Sequence, residues 1–326
     1  MDVHSTGKDY TDEEIRSFVR DLESLPGGGL TVSLLVGCGE RAVAPLREFL
    51  LNGRPRGVFQ PRQRAVEALA ELGAKDVLME YLSQKRVIAD AVVRFGEEAV
   101  ENTAARELAR WPTEEVFQFL MNLAQRRMLA GAVDALGRFE RPEAAPVLVK
   151  VLGDDVGRPA AEKALRAIAE KVKPALFQAA RRTGAPEDET PSERQRRRSV
   201  VRVLADMALR DEDWKELRPL LQDGDQEIEI IAGEMAVDWA PPTERQEAAR
   251  FLIRSLDSAH WFLQIRIQEC LRRNYAVLCE LIAHETKIRR RAARGEPLAD
   301  PVLRILEKLQ STAEKSGAKE NVWHDE

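Results

Sequence analysis

Cysteine is scarce: three residues, Cys38, Cys270 and Cys279, far apart in 326. That excludes a disulfide framework and fits reduced thiols in a cytoplasmic protein. Aromatics make up only 6%. Strand signals are as thin. No hairpin dipeptide sits between alternating apolar runs, and Asn52-Gly53 merely opens the loop "NGRPRGVFQP". Little or no sheet is therefore expected. Long apolar runs are missing too. The longest uncharged stretch, "LPGGGLTVSLLVGCG" (25–39), is short and glycine-rich, whereas a membrane helix needs about 20 apolar residues. The first residues show no basic start followed by an apolar run, so no secretory signal is read there. Nor does one sign of charge dominate. Fifty basic residues face 55 acidic ones, net −5, which argues against a dedicated nucleic-acid binder while leaving room for a local basic strip.

What the chain has is alanine, leucine, valine, glutamate and arginine, a helix-forming mixture with 44% hydrophobic residues to build a core. These residues return in a pattern. In "PRQRAVEALAELGAKDVLMEYL" (61–82), Ala65, Val66, Ala68, Leu69 and Leu72 give helical spacing. Pro61 suits a first turn. Gly73 suits a helix end, and Val77, Leu78, Tyr81 and Leu82 form a second stripe. The same order of small-residue helix, break and apolar helix recurs at 104–120, 132–152, 164–180, 203–221, 232–253 and 267–282. Anchored on Leu69, Leu108, Leu136, Ile168, Met207, Val237 and Leu271, the steps are 39, 28, 32, 39, 30 and 34 residues. A period near ~34 is the mark of a stacked repeat, because one helical hairpin cannot cover its own apolar face.

The segments "APLREFL…RQRAVEALAELG" (44–73) and "APVLVKVLGDD…AAEKALRAIAE" (145–170) carry the resemblance to a known family. Each opens a first helix with Ala-Pro and follows it with a second helix rich in Ala and Leu. In this the chain resembles HEAT-repeat proteins, including their bacterial HEAT-like branch, over most of residues 40–282. The resemblance implies an all-α, right-handed α-solenoid of stacked antiparallel hairpins. Tetratricopeptide repeats share the period, but their Trp-Leu-Gly-Tyr pattern is missing.

On that basis residues 1–38 are expected to form N-terminal capping helices, 39–294 the repeats, 295–310 a C-terminal capping helix and 311–326 a flexible tail. "TDEE" (11–14) is a capping-box signature. "RRTGAPEDETPSERQRRR" (181–198) reads as an interruption, with an exposed loop near 183–193 and a hinge there. Trp323 in the tail is either a stray aromatic or a short docking peptide.

Chemistry-bearing constellations are few. Cys270-x8-Cys279-x4-His284 matches no zinc spacing. His4 and His324 fall near the ends of the chain, and His260, in "SAHWF", has no nucleophile motif beside it. The glycines of "PGGGL" (26–30) lack the lysine and context of a phosphate loop. The pairs Asp154-Asp155 and Glu97-Glu98 read as turns or solvated faces. The expectation is therefore no metal, no cofactor and no catalytic residue.

Second helices usually line the inner wall of such a stack, and their outward polar positions form a ladder. It begins with Arg64, Glu67 and Glu71, then Arg106 and Arg110, then Asp134 and Arg138. It continues with Lys163, Arg166 and Glu170, then Arg202, Asp206 and Arg210, then Glu234 and Asp238. It closes with Arg266, Glu269 and Arg273. One reading is a solvated face laced with ion pairs. The other is a groove, basic between Arg106 and Arg166, that takes an acidic peptide or helix of a protein partner, since arginine pairs with carboxylates through a planar fork. The basic runs "SERQRRRSVVR" (192–202) and "KIRRRAARGE" (287–296) read as solvated helix surface, with nucleic-acid contact left open.

The leading expectation is a cytoplasmic, non-enzymatic scaffold. Because some HEAT-like proteins are glycosylases of alkylated DNA bases, nucleic-acid binding is the second. Asp238, Trp239 and Trp261 are the residues that could serve it. Some phycobilin lyases also use HEAT-like repeats, a third reading that no tetrapyrrole-pocket signal supports.

Overall fold

The computed structural model describes residues 10–24, 28–127, 129–292 and 300–320. His4, Trp323 and His324 lie outside them, as does most of the 294–301 segment. Among the described residues every regular element is helical and no strand occurs. The chain divides into two units, one ending at Val172 and the other beginning at Lys173.

The first unit contains α1 (Asp12–Asp21), α2 (Gly28–Gly37), α3 (Val43–Asn52), α4 (Gln60–Glu71), α5 (Lys75–Ser83), α6 (Ala91–Glu107), α7 (Glu114–Arg127), α8 (Ala130–Phe139) and α9 (Ala145–Val151). The start of α10 (Arg158–Ala180) completes it. Neighbours in sequence pack as hairpins, and hairpins stack in chain order. One row runs α2, α4, α6, α8; the other holds α1, α3 and α5, then α7 and α9. This is the solenoid pattern the repeats predicted. The unit 61–82 is α4 and α5, broken at Gly73, whose φ of 77° is the left-handed backbone that glycine adopts without strain.

Small residues let the second-helix row close up. A Cβ on Gly131 would overlap the carbonyl oxygen of Asn102 on α6, and Asn102 Oδ1 accepts from the Gly131 N–H at 2.7 Å. A Cβ on Gly137 would sit 2.8 Å from the Cβ of Ala164 on α10. The core between rows is aliphatic: Leu46, Leu50, Leu69, Leu78, Leu108, Leu120, Leu136 and Leu148 are all fully buried.

The second unit contains the end of α10, then α11 (Pro191–Ala205), α12 (Trp214–Leu217), α13 (Gln226–Trp239), α14 (Pro242–Ser255), α15 (Trp261–Arg273), α16 (Tyr275–Ala292) and α17 (Pro301–Glu320). Here α11, α13, α15 and α17 form one row, and α14 and α16 the other. The helix α17 continues well past residue 310.

At 164–180 the sequence pattern suggests a break at Pro174, yet α10 is one helix. Proline inside a helix loses one hydrogen bond and crowds the carbonyl four residues back, at a cost of about 3 kcal/mol. Packing on both sides offsets it. Leu165, Ile168 and Val172 are buried before the proline, and Leu176, Phe177 and Ala180 after it, while Pro174 itself faces outward. Lys173, also buried, donates to Ala208 O at 3.0 Å and Asp213 Oδ2 at 3.2 Å.

The segment 181–198 is more ordered than a loop reading implies. Thr190 and Glu193 form a capping box at the start of α11. Arg197 is 2% exposed and binds Asp223 through both Nη atoms, at 2.7 and 2.6 Å, and Glu189 through Nε at 2.6 Å. Arg198 pairs with Asp225 at 2.8 Å. The basic run 192–202 is therefore not simply solvated surface: it ties α11 to the loop before α13.

Candidate partner-binding face

In the first unit the ladder lies on α4, α6, α8 and α10, with Arg110 on the short 3-10 turn that follows α6, and the structure connects it across helices. Asp134 on α8 gathers three cations: Arg106 Nε at 3.3 Å, Lys163 Nζ at 3.4 Å and Arg138 Nη2 at 3.6 Å. Its side chain is 20% exposed, against 80% for Lys163. Three positive charges on one carboxylate leave an excess of two. Towards α4 the balance reverses, because Arg110 bridges Glu107 (2.5 Å) and Glu71 (2.8 Å). Arg166 lies 3.5 Å from Glu162 on its own helix.

Arg64 does a different job. Its Nη1 donates to Leu22 O at 3.0 Å and Ser24 O at 2.8 Å, satisfying carbonyls at the end of α1. Glu67 is accessible, yet surrounding protein raises its pKa above the usual carboxylate value and Glu107 adds to the rise.

In the second unit the ladder lies on α11, α13 and α15. Arg202 binds Glu227 through Nε at 2.9 Å. Arg266 Nη2 donates to Glu234 Oε2 at 2.5 Å. Arg273 holds Asp238 with Nε at 3.2 Å and Nη2 at 2.6 Å, and Asn274 Nδ2 donates to the same carboxylate at 2.7 Å. Glu269 binds Arg272 on its own helix at 2.6 Å. Arg210 falls beyond the end of α11, near Glu212, and is not part of a helix face. Asp206, Glu234, Asp238, Ile265, Arg266 and Arg273 line a cleft of about 340 Å³.

The remaining sequence candidates resolve simply. Cys270 is fully buried, and burial, then Asp238, push its thiol pKa up to about 12. Such a thiol is a core residue, not a nucleophile. Cys279 Sγ donates to the carbonyl of Ala276 at 3.6 Å, and His284 is exposed. Among the described residues no three His, Cys, Asp or Glu side chains gather as around a metal, and no helix is long and apolar enough to cross a membrane. His260 precedes α15 with its ring 5.0 Å from Phe262 and 6.0 Å from Trp261; both are exposed.

One feature escaped the sequence. The C-terminal ends of α5 and α7 flank a cavity of about 620 Å³, floored by Leu82, Phe119 and Leu123 and edged by Lys85, Arg86, Arg126 and Arg127. Buried carboxylates hold two of these cations from beneath. Arg86 and Arg62 both pair with Glu97, which also accepts from Tyr81 Oη at 2.8 Å, and Arg127 pairs with Glu101. The residues come from two first helices and a loop, so no helical period announces them.

Residues 87–169, from before α6 into α10, match the family model for HEAT repeats. No curated protein matches the chain.

Proposed function

We propose that this chain, a HEAT-repeat protein, is a non-enzymatic cytoplasmic scaffold that holds an acidic segment of a protein partner against the second-helix face of its first unit. HEAT repeats commonly mediate protein–protein interaction, and this face supplies a reason for one chemistry. The observation that carries the reading is the cluster at Asp134, where Arg106, Arg138 and Lys163 share a single carboxylate. A partner carboxylate arriving there completes ion pairs already half built. Arg138 and Lys163 are more than half exposed and so free to turn towards it. Surface ion pairs alone are worth little, so the charge selects and orients the partner. The stacked helices supply the extended rigid platform.

Affinity purification from the native host with wild type and the double variant Arg138→Glu/Lys163→Glu tests this. The expected result is loss of a partner that binds wild type in a salt-sensitive way. A folded variant that keeps every partner defeats the proposal. Tight binding of duplex DNA by wild type, with a steep salt dependence, would favour the nucleic-acid reading instead.

A further inference from the structure

The cavity at the C-terminal ends of α5 and α7 belongs to the row of first helices, whereas the cluster at Asp134 lies on second helices. Its ten lining residues include four cations, Lys85, Arg86, Arg126 and Arg127, and no carboxylate. Two of the four are already engaged. Arg86 gives Nη1 to buried Glu97, Nη2 to Leu51 O at 2.9 Å and Nε to Gln84 Oε1 at 3.1 Å. Arg127 pairs with buried Glu101. Lys85 and Arg126 differ from these. Both are exposed, and neither has an ion pair or a hydrogen bond among the described residues. The next acid up α5, Glu80, is held by Arg47 at 2.8 Å, and the acids of α7, Glu114 and Glu115, stand at its other end.

The charges leave a remainder. With Glu97 and Glu101 each set against one lining cation, two positive charges stay unmatched. The two helix C-termini contribute about half a negative charge each. The balance is about one positive charge, the demand of a single anion. The floor is apolar, with Phe119 half-buried and Leu82 and Leu123 buried. A volume of about 620 Å³ lies within the range of small-ligand pockets.

We infer that this cavity binds a carboxylate carried on an apolar group, with the acid between Lys85 and Arg126 and the hydrocarbon over Phe119. The free ammonium and guanidinium give the acid its charge-assisted hydrogen bonds, and the guanidinium fork matches the two oxygens. Glu97 and Glu101 hold Arg86 and Arg127 in place, so this wall is set before a ligand arrives. Such a group comes either as a free acid or as the apolar C-terminal residue of a polypeptide. The assignment does not depend on the reading of the Asp134 cluster.

Octanoate, octanol and butyrate are suitable probes, titrated into the full chain at neutral pH while the Leu82 and Leu123 methyl signals are followed by NMR. Octanoate is expected to shift both signals saturably, with a dissociation constant on the order of 1 mM or tighter, the range of a single-site contact. Octanol, which lacks the charge, should bind about 10-fold more weakly. Butyrate, which keeps the charge on a shorter chain, should also lose about 10-fold or more. Lys85→Gln/Arg126→Gln changes two exposed, unpaired side chains, and in it octanoate should lose its advantage over octanol. The octanol and butyrate comparisons need no variant. Gly-Gly-Leu with a free carboxylate separates the sources: binding tighter than octanoate identifies a chain end, and weaker binding a free acid. Arg138→Glu/Lys163→Glu should change nothing here, so the two proposals fail separately. Unsaturable shifts, octanol or butyrate binding as tightly as octanoate, or a folded Lys85→Gln/Arg126→Gln that still prefers octanoate to octanol would overturn the assignment.

Discussion

At the residue scale, the chain's arginines divide into those buried in ion pairs that hold the fold and those whose side chains remain half exposed. Arg197 belongs to the first group. It is 2% exposed and held by Asp223, Glu189 and the carbonyl of Ala180. Removing one member of a buried ion pair strands the others, which costs about 3–5 kcal/mol. Arg197→Ala is therefore expected to lower the urea midpoint of the protein steeply, while Arg138→Ala, half exposed, should change the unfolding free energy by less than about 1 kcal/mol. Asp225 gives a pH signature. Burial raises its pKa, but hydrogen bonds from Arg198 and from the backbone N–H groups of Glu227 and Ile228 outweigh this, and the net pKa is below 3.8. A carboxylate depressed on folding stabilises fully above its unfolded pKa, and that contribution is lost as pH falls through the folded value. The associated loss should therefore appear below about pH 4. Arg198→Gln should raise the Asp225 pKa, measured by carboxyl NMR titration, and move the acid limb of unfolding to higher pH. No change in the Asp225 titration would remove Arg198 as its cause.

At the element scale, close helix approach is bought with glycine. Gly131→Ala would drive a methyl into the backbone of Asn102, so α6 and α8 must separate. Overpacking of this kind costs about 1–3 kcal/mol, and thermal unfolding should show it, whereas alanine at exposed Gly29, where a Cβ meets nothing, should not. Elements are also where the sequence was most readable. The period placed Leu69, Leu136, Val237 and Leu271 in buried helices because a second helix must repeat its apolar stripe to stack. The Thr-x-x-Glu signal at Thr11 is a capping box in the structure, and so is the identical signal at Thr190, which lies among prolines and acids that read as a loop. Pro174 misled in the opposite direction, since tertiary packing kept α10 whole. The geometry of the candidate face was half legible. Helical spacing identified Arg106, Asp134, Arg138 and Lys163 as neighbours. It could not tell that Arg64 turns back to cap α1, that Arg197 is buried, or that Glu234 is buried and paired with Arg266, because each depends on which groups meet from elements roughly 30 residues apart.

At the scale of the whole molecule, a stack of hairpins holds itself together through neighbours, and its stability is a sum of local interfaces. Damage should therefore remain local. In native-state hydrogen exchange, Gly131→Ala is expected to reduce amide protection in α6 and α8, which meet at Asn102, with the effect fading helix by helix along the row. Arg197→Ala should loosen the end of α10, the start of α11 and the loop before α13, next to its partners Ala180, Glu189 and Asp223, before it reaches α15. A compact two-state domain behaves differently, because a global opening lowers the protection of its most stable amides everywhere by the same amount. Equal loss of protection from α1 to α17 in both variants would mean that the chain unfolds as one cooperative body.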